Sequence, residues 1–251
     1  MEALEPVQRA LVVTPHPDDA EIGCGGTVAK LVKAGKEVFY VVATSGNKGG
    51  RATDMTADYL TQARQDEQRR AAEILGVSEV VFLDFGDGEL EDDHPFRREL
   101  VYHIRRLKPE VVFTTEPFRS TFYNHRDHRI AGLVTADAVF PYARDHLHYP
   151  EHIEQGLVGH GVEELFFWGS ESPDTFIDIG DVVDLKIRSL MAHTSQVKDW
   201  AGEGEGDDKF IERMKTMGRR MLRGHDVPYE FAEGFRSYGM RRMTREFEEG
   251  Q

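Results

Sequence analysis

From Arg9 to Phe140 the chain alternates short β-branched and aromatic runs with longer segments whose apolar positions recur at helical spacing. The runs RALVVT (Arg9 to Thr14), EVFYVVAT (Glu37 to Thr44), EVVFLD (Glu79 to Asp84) and EVVFTT (Glu110 to Thr115) are apolar enough to be buried on both faces. That is what strands of a parallel sheet require, because crossover helices cover both of its sides. Between the runs the pattern predicts helices from Ile22 to Ala34, Asp58 to Leu75 and Pro95 to Leu107, ended by Gly35, Gly76 and the Lys108-Pro109 step. A fourth is expected from near Asp127 to Phe140, where Pro141 stops it. Right-handed crossovers make an α/β fold with a doubly wound, mainly parallel sheet the natural solution, its first strands ordered 3-2-1-4. In that order the loops after the first and fourth strands meet at one crevice above the carboxyl ends of the sheet.

Beyond Pro141 the pattern predicts strands at Val162 to Gly169 and Asp174 to Gly180, and a helix from Asp181 to Met191. The segment KDWAGEGEGDDKF reads as an exposed acidic loop. A helix follows from Lys209 to Arg223, its stripe of Phe210, Ile211, Met214, Met217, Met221 and Leu222 expected to dock on its own domain or on another subunit. No linker divides the chain, so residues 1–251 are expected to form a single domain, with 141–251 packed on the part before it.

Composition narrows the function. The 251 residues carry a net charge of −14, which disfavours nucleic acid and anionic membrane as partners. The single cysteine, Cys24, fits a reducing compartment and excludes an intrachain disulfide. No apolar run approaches the roughly 20 residues of a membrane span and no signal peptide is evident, so a soluble, cytoplasmic protein is expected.

The chemistry concentrates in the two loops that the strand order brings together. The first, PHPDDAEIGCGG, crowds His16, Asp18, Asp19 and Glu21 into a strand-to-helix turn, with Pro15 and Pro17 fixing the backbone around His16. Three acids so close repel one another unless a cation or a helix N-terminus compensates. Capping alone needs one acid and no histidine. The second loop opens into NHRDHRIAG and supplies His125, Asp127 and His128. Two histidines and a carboxylate with an open position make a catalytic zinc arrangement, and here a further carboxylate and a further histidine are left for proton transfer. A dinucleotide loop is disfavoured, because PHPDD occupies the turn where glycines would approach a pyrophosphate. No G-x-S-x-G elbow is present. Cys24 is expected to be a small buried filler, and His94, His103, His146, His148, His152, His160 and His225 mostly surface groups.

HPDDAEIGCGG together with the later HRDH resembles the LmbE-like, or PIG-L, deacetylase family, and MAHTSQ near Met191 to Gln196 is similar to a segment of its bacillithiol-type branch. The resemblance implies a Rossmann-like three-layer α/β sandwich. It implies His16, Asp19 and His128 as ligands of Zn²⁺, with Fe²⁺ as another possible occupant, and Asp18 as general base. It implies His125 as the group that stabilises the oxyanion or protonates the leaving amine, with Asp127 orienting and charging it. Arg64 and Asp87 would contact substrate, and His193 would approach the site. Two departures stand out: Pro15 replaces the alanine of many relatives, and the acid that directly follows HPDD in other branches is here Glu21, one position later, which leaves it at most behind the ligands. The implied reaction is hydrolysis of the acetyl group from an N-acetylglucosamine-type sugar or glycoside, by a homo-oligomer expected to be a hexamer. The alternatives are hydrolysis of an amide in a small non-sugar metabolite, and a non-catalytic metal-dependent binding protein.

Overall fold

A computed structural model describes residues 4–50, 55–120, 124–200 and 206–240. Seven strands form one sheet: β1 (Arg9–Thr14), β2 (Glu37–Thr44), β3 (Glu79–Phe85), β4 (Val111–Thr115), β5 (Glu164–Trp168), β6 (Thr175–Asp178) and β7 (Ala232–Gly239), ordered β3-β2-β1-β4-β5-β7-β6. The first four strands adopt the expected order. Strands β1 to β5 run parallel to one another, and β7 runs antiparallel between β5 and β6. The pleat of β1 divides the core: Ala10 and Val12 point to one apolar layer, Leu11 and Val13 to the other.

The helices sort onto these two faces. Apolar residues of α1 (Asp19–Lys33) and Leu75 of α2 (Ala57–Leu75) join the layer of Val12. Those of α3 (His94–Leu107) and α4 (Arg126–Asp137) join the layer of Leu11. The result is the three-layer α/β sandwich. Short α5 (Pro150–Glu154) follows α4, and α6 (Val183–Met191), α7 (Thr194–Trp200) and α8 (Asp207–Met221) follow β6. Gly23 lets α1 lie against β5: a Cβ there would stand 2.5 Å from ring atoms of Trp168.

Several elements depart from the pattern reading. α4 ends at Asp137, and a π turn from Ala138 to Tyr142 carries an extended Phe140 before Pro141, because the residue before proline is pushed out of helical geometry. β7 was not anticipated. In α8 the stripe is only partly used: Phe210 is buried and Met217 is 47% exposed. Residues 201–205 of the expected acidic loop lie outside those described. His103 and His152 are buried, contrary to the expectation for surface histidines.

Candidate metal centre and active site

At the carboxyl end of β1 the chain leaves the sheet through Pro15, and the backbone of His16 donates to Asp19 Oδ2 at 3.1 Å. Asp18 stands at the N-cap of α1 with φ 99°, in the left-handed region, yet its side chain makes no capping bond. A carboxylate at an N-cap that does not cap is available for other work. After β4, the chain reaches α4 through His125, whose Nδ1 accepts the backbone N–H of Asp127 at 3.2 Å. The two loops meet as expected, with the His16 ring 5.0 Å from that of His125 and 5.3 Å from that of His128.

Asp19 Oδ2 lies 3.1 Å from His16 Nδ1 and 3.2 Å from His128 Nε2. These three residues offer ligand atoms within 4.8 Å of one another, a compact donor set of two imidazoles and a carboxylate. The far nitrogen of each ring is also addressed: His16 Nε2 lies 3.0 Å from Asp127 Oδ2 and 3.2 Å from Asp87 Oδ1, and His128 Nδ1 lies 3.5 Å from Thr115 Oγ1. A carboxylate behind a histidine fixes the proton on that nitrogen and turns the other lone pair toward a metal. A second group, His16, Asp87, His125 and Asp127, is equally compact but less apt. The carboxylate of Asp127 already accepts from Gly88 N at 2.7 Å and Leu90 N at 3.2 Å, and Asp87 Oδ2 from Lys48 N at 2.8 Å. The donor set therefore fits a divalent metal at His16, Asp19 and His128.

Burial works against a charged His16, but hydrogen bonds to Asp127, Asp19 and Asp87 outweigh it and hold its pKa well above the usual histidine value. Burial likewise opposes the ionised form of Asp19, and His128 and His16 overcome it, keeping that carboxyl far below its ordinary range. Asp18 is pushed up to about 7 by burial and by the adjacent charge of Asp19, with Arg64 pulling the other way. Asp87 is lowered to about 2; burial opposes this, and the hydrogen bonds from His16 and Lys48 prevail. His125 is lowered by burial and by the neighbouring His16, with Asp127 pulling the other way; its Nδ1 accepts the Asp127 N–H, which places the donor of the neutral ring at Nε2.

A cavity of about 230 Å³ opens here, lined by His16, Asp18, Lys48, Gly49, Arg64, Asp87, Gly88 and His125. Arg64 and Asp87 thus both line it, but Arg64 is committed to the turn. Its guanidinium donates to Pro17 O at 2.5 Å, Gly46 O at 2.8 Å and Asp18 Oδ2 at 3.2 Å. It occupies the space a side chain at Gly46 would need: a Cβ there would lie 2.3 Å from Arg64 Nη1, and φ at Gly46 is +64°.

Two expected placements change. Asp127 reaches both histidines, its carboxylate 3.0 Å from His16 Nε2 and 3.9 Å from His125 Nδ1, so its tighter partner is His16 and not the expected His125. Burial and His16 disfavour the charged form of His125 that was expected from that pairing, while Asp127 favours it. His193 is fully buried, off the cavity, with Nε2 3.1 Å from Glu21 Oε2. The sequence reading also missed Gln68, which accepts the Asp18 backbone N–H at 3.0 Å and donates to Glu21 Oε1 at 3.0 Å. Its signal was positional: Gln68 lies four residues after Arg64, on the same face of α2.

Comparison with known proteins supplies independent findings. A family model described as "PIG-L: GlcNAc-PI de-N-acetylase" matches residues 11–139. Diacetylchitobiose deacetylase of Thermococcus kodakarensis is 36% identical over 195 residues, 78% of this chain and 72% of that protein. The structure of the N,N'-diacetylchitobiose deacetylase from Pyrococcus horikoshii superposes with a TM-score of 0.83 at 27% identity, covering 94% of this chain and 85% of that one. A 4-oxalmesaconate hydratase of Pseudomonas putida is 29% identical over 217 residues, 78% of this chain and 76% of that protein.

Proposed function

The chain belongs to the PIG-L family of GlcNAc-PI de-N-acetylases, and from that premise we propose a zinc-dependent deacetylase that frees acetate from an N-acetylglucosamine-type glycoside. The observation that carries the reading is the set of His16, Asp19 and His128 beside a cavity that also exposes Asp18 and His125. Two imidazoles and one carboxylate are borderline in hardness and suit zinc, with Fe²⁺ the competing ion.

When bound, the metal supplies a polarised water and charge stabilisation at the carbonyl oxygen. Asp18 is the base: its carboxylate lines the cavity, makes no cap bond, and is steered by Arg64. It takes a proton from the attacking water and holds it near the departing nitrogen. His125 donates Nε2–H toward the carbonyl oxygen as that oxygen gains charge, a contribution of roughly 3 to 4 kcal/mol for one well-aimed donor. Proton delivery from Asp18 to the amine completes C–N cleavage and leaves acetate and a free amino sugar. Asp127 holds His16 from behind. Asp87 and Arg64 line the space where sugar hydroxyls would lie, and His193 supports the turn from the interior.

The reading extends to the rest of the chain. Residues 1–251 form one catalytic domain, with β7 inserted between β5 and β6 of the same sheet. The protein works in the cytoplasm, in keeping with its lone and buried Cys24, and no helix among the described residues is long and apolar enough to cross a membrane. It self-associates as a homo-oligomer through surfaces that include the exposed Met217 of α8.

Acetate release measured over a panel of N-acetylglucosaminides and an N-acetylated alkyl amine, with hydration of 4-oxalmesaconate followed beside it, tests the substrate class. The sugars should be turned over with the highest kcat/KM, since polar groups placed for hydroxyls reject analogues that lack them. Turnover of the alkyl amide equal to that of the sugars would leave only an amide hydrolase. Hydration of 4-oxalmesaconate without acetate release from any sugar would align the chain with the hydratase of Pseudomonas putida.

A further inference from the structure

The turn that carries Asp18 is held by a relay reaching into the core. Asp18 has φ 99° and ψ −28°, a conformation that non-glycine residues keep only when their surroundings enforce it. Two residues of α2, four apart, grip this turn: Arg64 holds the Pro17 carbonyl and the Asp18 carboxylate, and Gln68 accepts the buried Asp18 backbone N–H at 3.0 Å. Arg64 acts on the side chain, and Gln68 acts on the backbone that aims it.

A buried amide has an accepting and a donating end of nearly equal shape, so its neighbours decide which end faces which way. The other end of Gln68 donates to Glu21 Oε1 at 3.0 Å, and Glu21 Oε2 lies 3.1 Å from His193 Nε2. Glu21, Gln68 and His193 are all fully buried. Among the described residues His193 Nδ1 has no hydrogen-bond partner, and the ring's one hydrogen bond there is with Glu21. The accepting carboxylate of Glu21 draws the NH₂ of Gln68 toward itself and so turns the carbonyl toward Asp18.

We propose that Gln68 is a positioning residue for Asp18, and that the Glu21–His193 pair sets the orientation in which Gln68 can act. The kinetic consequence rests on the deacetylase reading; the structural one does not. This assigns a task to Glu21 and His193, neither of which lines the cavity.

The test uses Gln68→Met, which keeps the length of the side chain and removes the amide. In metal-free protein, hydrogen exchange at the Asp18 amide should quicken at least tenfold. In zinc-loaded protein, kcat should fall tenfold or more while KM and zinc per chain stay at wild-type values. Glu21→Leu should reproduce that pattern. Glu21→Gln, whose carbonyl can still accept from Gln68, should keep kcat within threefold of wild type, a rescue that a merely space-filling role would not produce. Unchanged exchange at Asp18 in Gln68→Met overturns the proposal, and so does a loss of kcat that only tracks lost zinc. If Gln68→Met does not fold, the comparison of Glu21→Leu with Glu21→Gln decides: equal kcat in the two overturns the proposal. If wild-type protein releases acetate from no sugar, the functional reading fails, and the exchange measurement still judges the positioning.

Discussion

Replacing Asp127 by asparagine separates two roles for the most buried acid of the site. Asp127 Oδ2 is shared by His16 Nε2 at 3.0 Å and Gly88 N at 2.7 Å, and Oδ1 accepts from Leu90 N at 3.2 Å. An asparagine with its carbonyl at the Oδ2 position keeps the first two bonds but sets its NH₂ against the Leu90 N–H. The opposite orientation loses the pair at Oδ2. Either way at least one buried donor loses its acceptor, at about 1 to 3 kcal/mol of stability for each. The negative charge behind His16 disappears as well. Removing such an outer partner weakens a metal site roughly 10- to 100-fold, or about 1.4 to 2.7 kcal/mol. Competition against a fluorescent zinc chelator reads that change directly, with urea unfolding of the metal-free protein giving the stability cost. If Asp127 instead served His125, metal affinity would stay at the wild-type value and only kcat would fall. That result would refute the reasoning and restore the pairing that the sequence suggested.

Asp18→Asn should keep near-stoichiometric metal and lose roughly 10²- to 10⁴-fold in kcat, whereas Asp19→Asn should lose the metal itself; elemental analysis beside acetate release distinguishes them, and excess zinc rescuing Asp18→Asn but not Asp19→Asn would exchange the roles. Burial and the neighbouring Arg106 lower His103 to about 4, and Arg106 Nη2 lies 3.2 Å from its Nδ1. The folded state therefore refuses a proton that the unfolded chain accepts near pH 6.5, so this residue costs nothing above that pH and about 3 kcal/mol in total as pH falls to 4. Urea unfolding between pH 7 and 4 should show this component missing in His103→Gln, and identical pH profiles would count against it. Light scattering at micromolar concentration should show an oligomer, and a monomer would remove the assembly reading while leaving the site intact.

The parts of the fold legible in the sequence are those set by local pattern. Strands β1 to β4 are short apolar runs bounded by turn residues, and their order follows from crossover handedness. β7, AEGFRSYG, was missed because its apolar residues are sparse and its place depends on pairing with β5 across more than 60 residues of chain. The crevice was legible for the same reason as the strand order. The partner choices within it were not: Asp127 is two residues from His125 in sequence, but the fold places its carboxylate against His16, 111 positions away. Gln68 is one polar residue among many on α2, and only the packed structure distinguishes it from those facing solvent. Arg64 was legible as a site residue, but its commitment to Pro17 and Gly46 depends on a loop whose course the pattern does not give.

The central claim is that His16, Asp19 and His128 hold one catalytic divalent metal. Its most direct measurement is acetate release from an N-acetylglucosaminide as chelator-stripped protein is titrated with zinc. The account predicts no activity without metal, a rise that breaks at one zinc per chain, and no break at that ratio in His128→Ala. Full activity of the stripped protein, or an unchanged titration in His128→Ala, would contradict it.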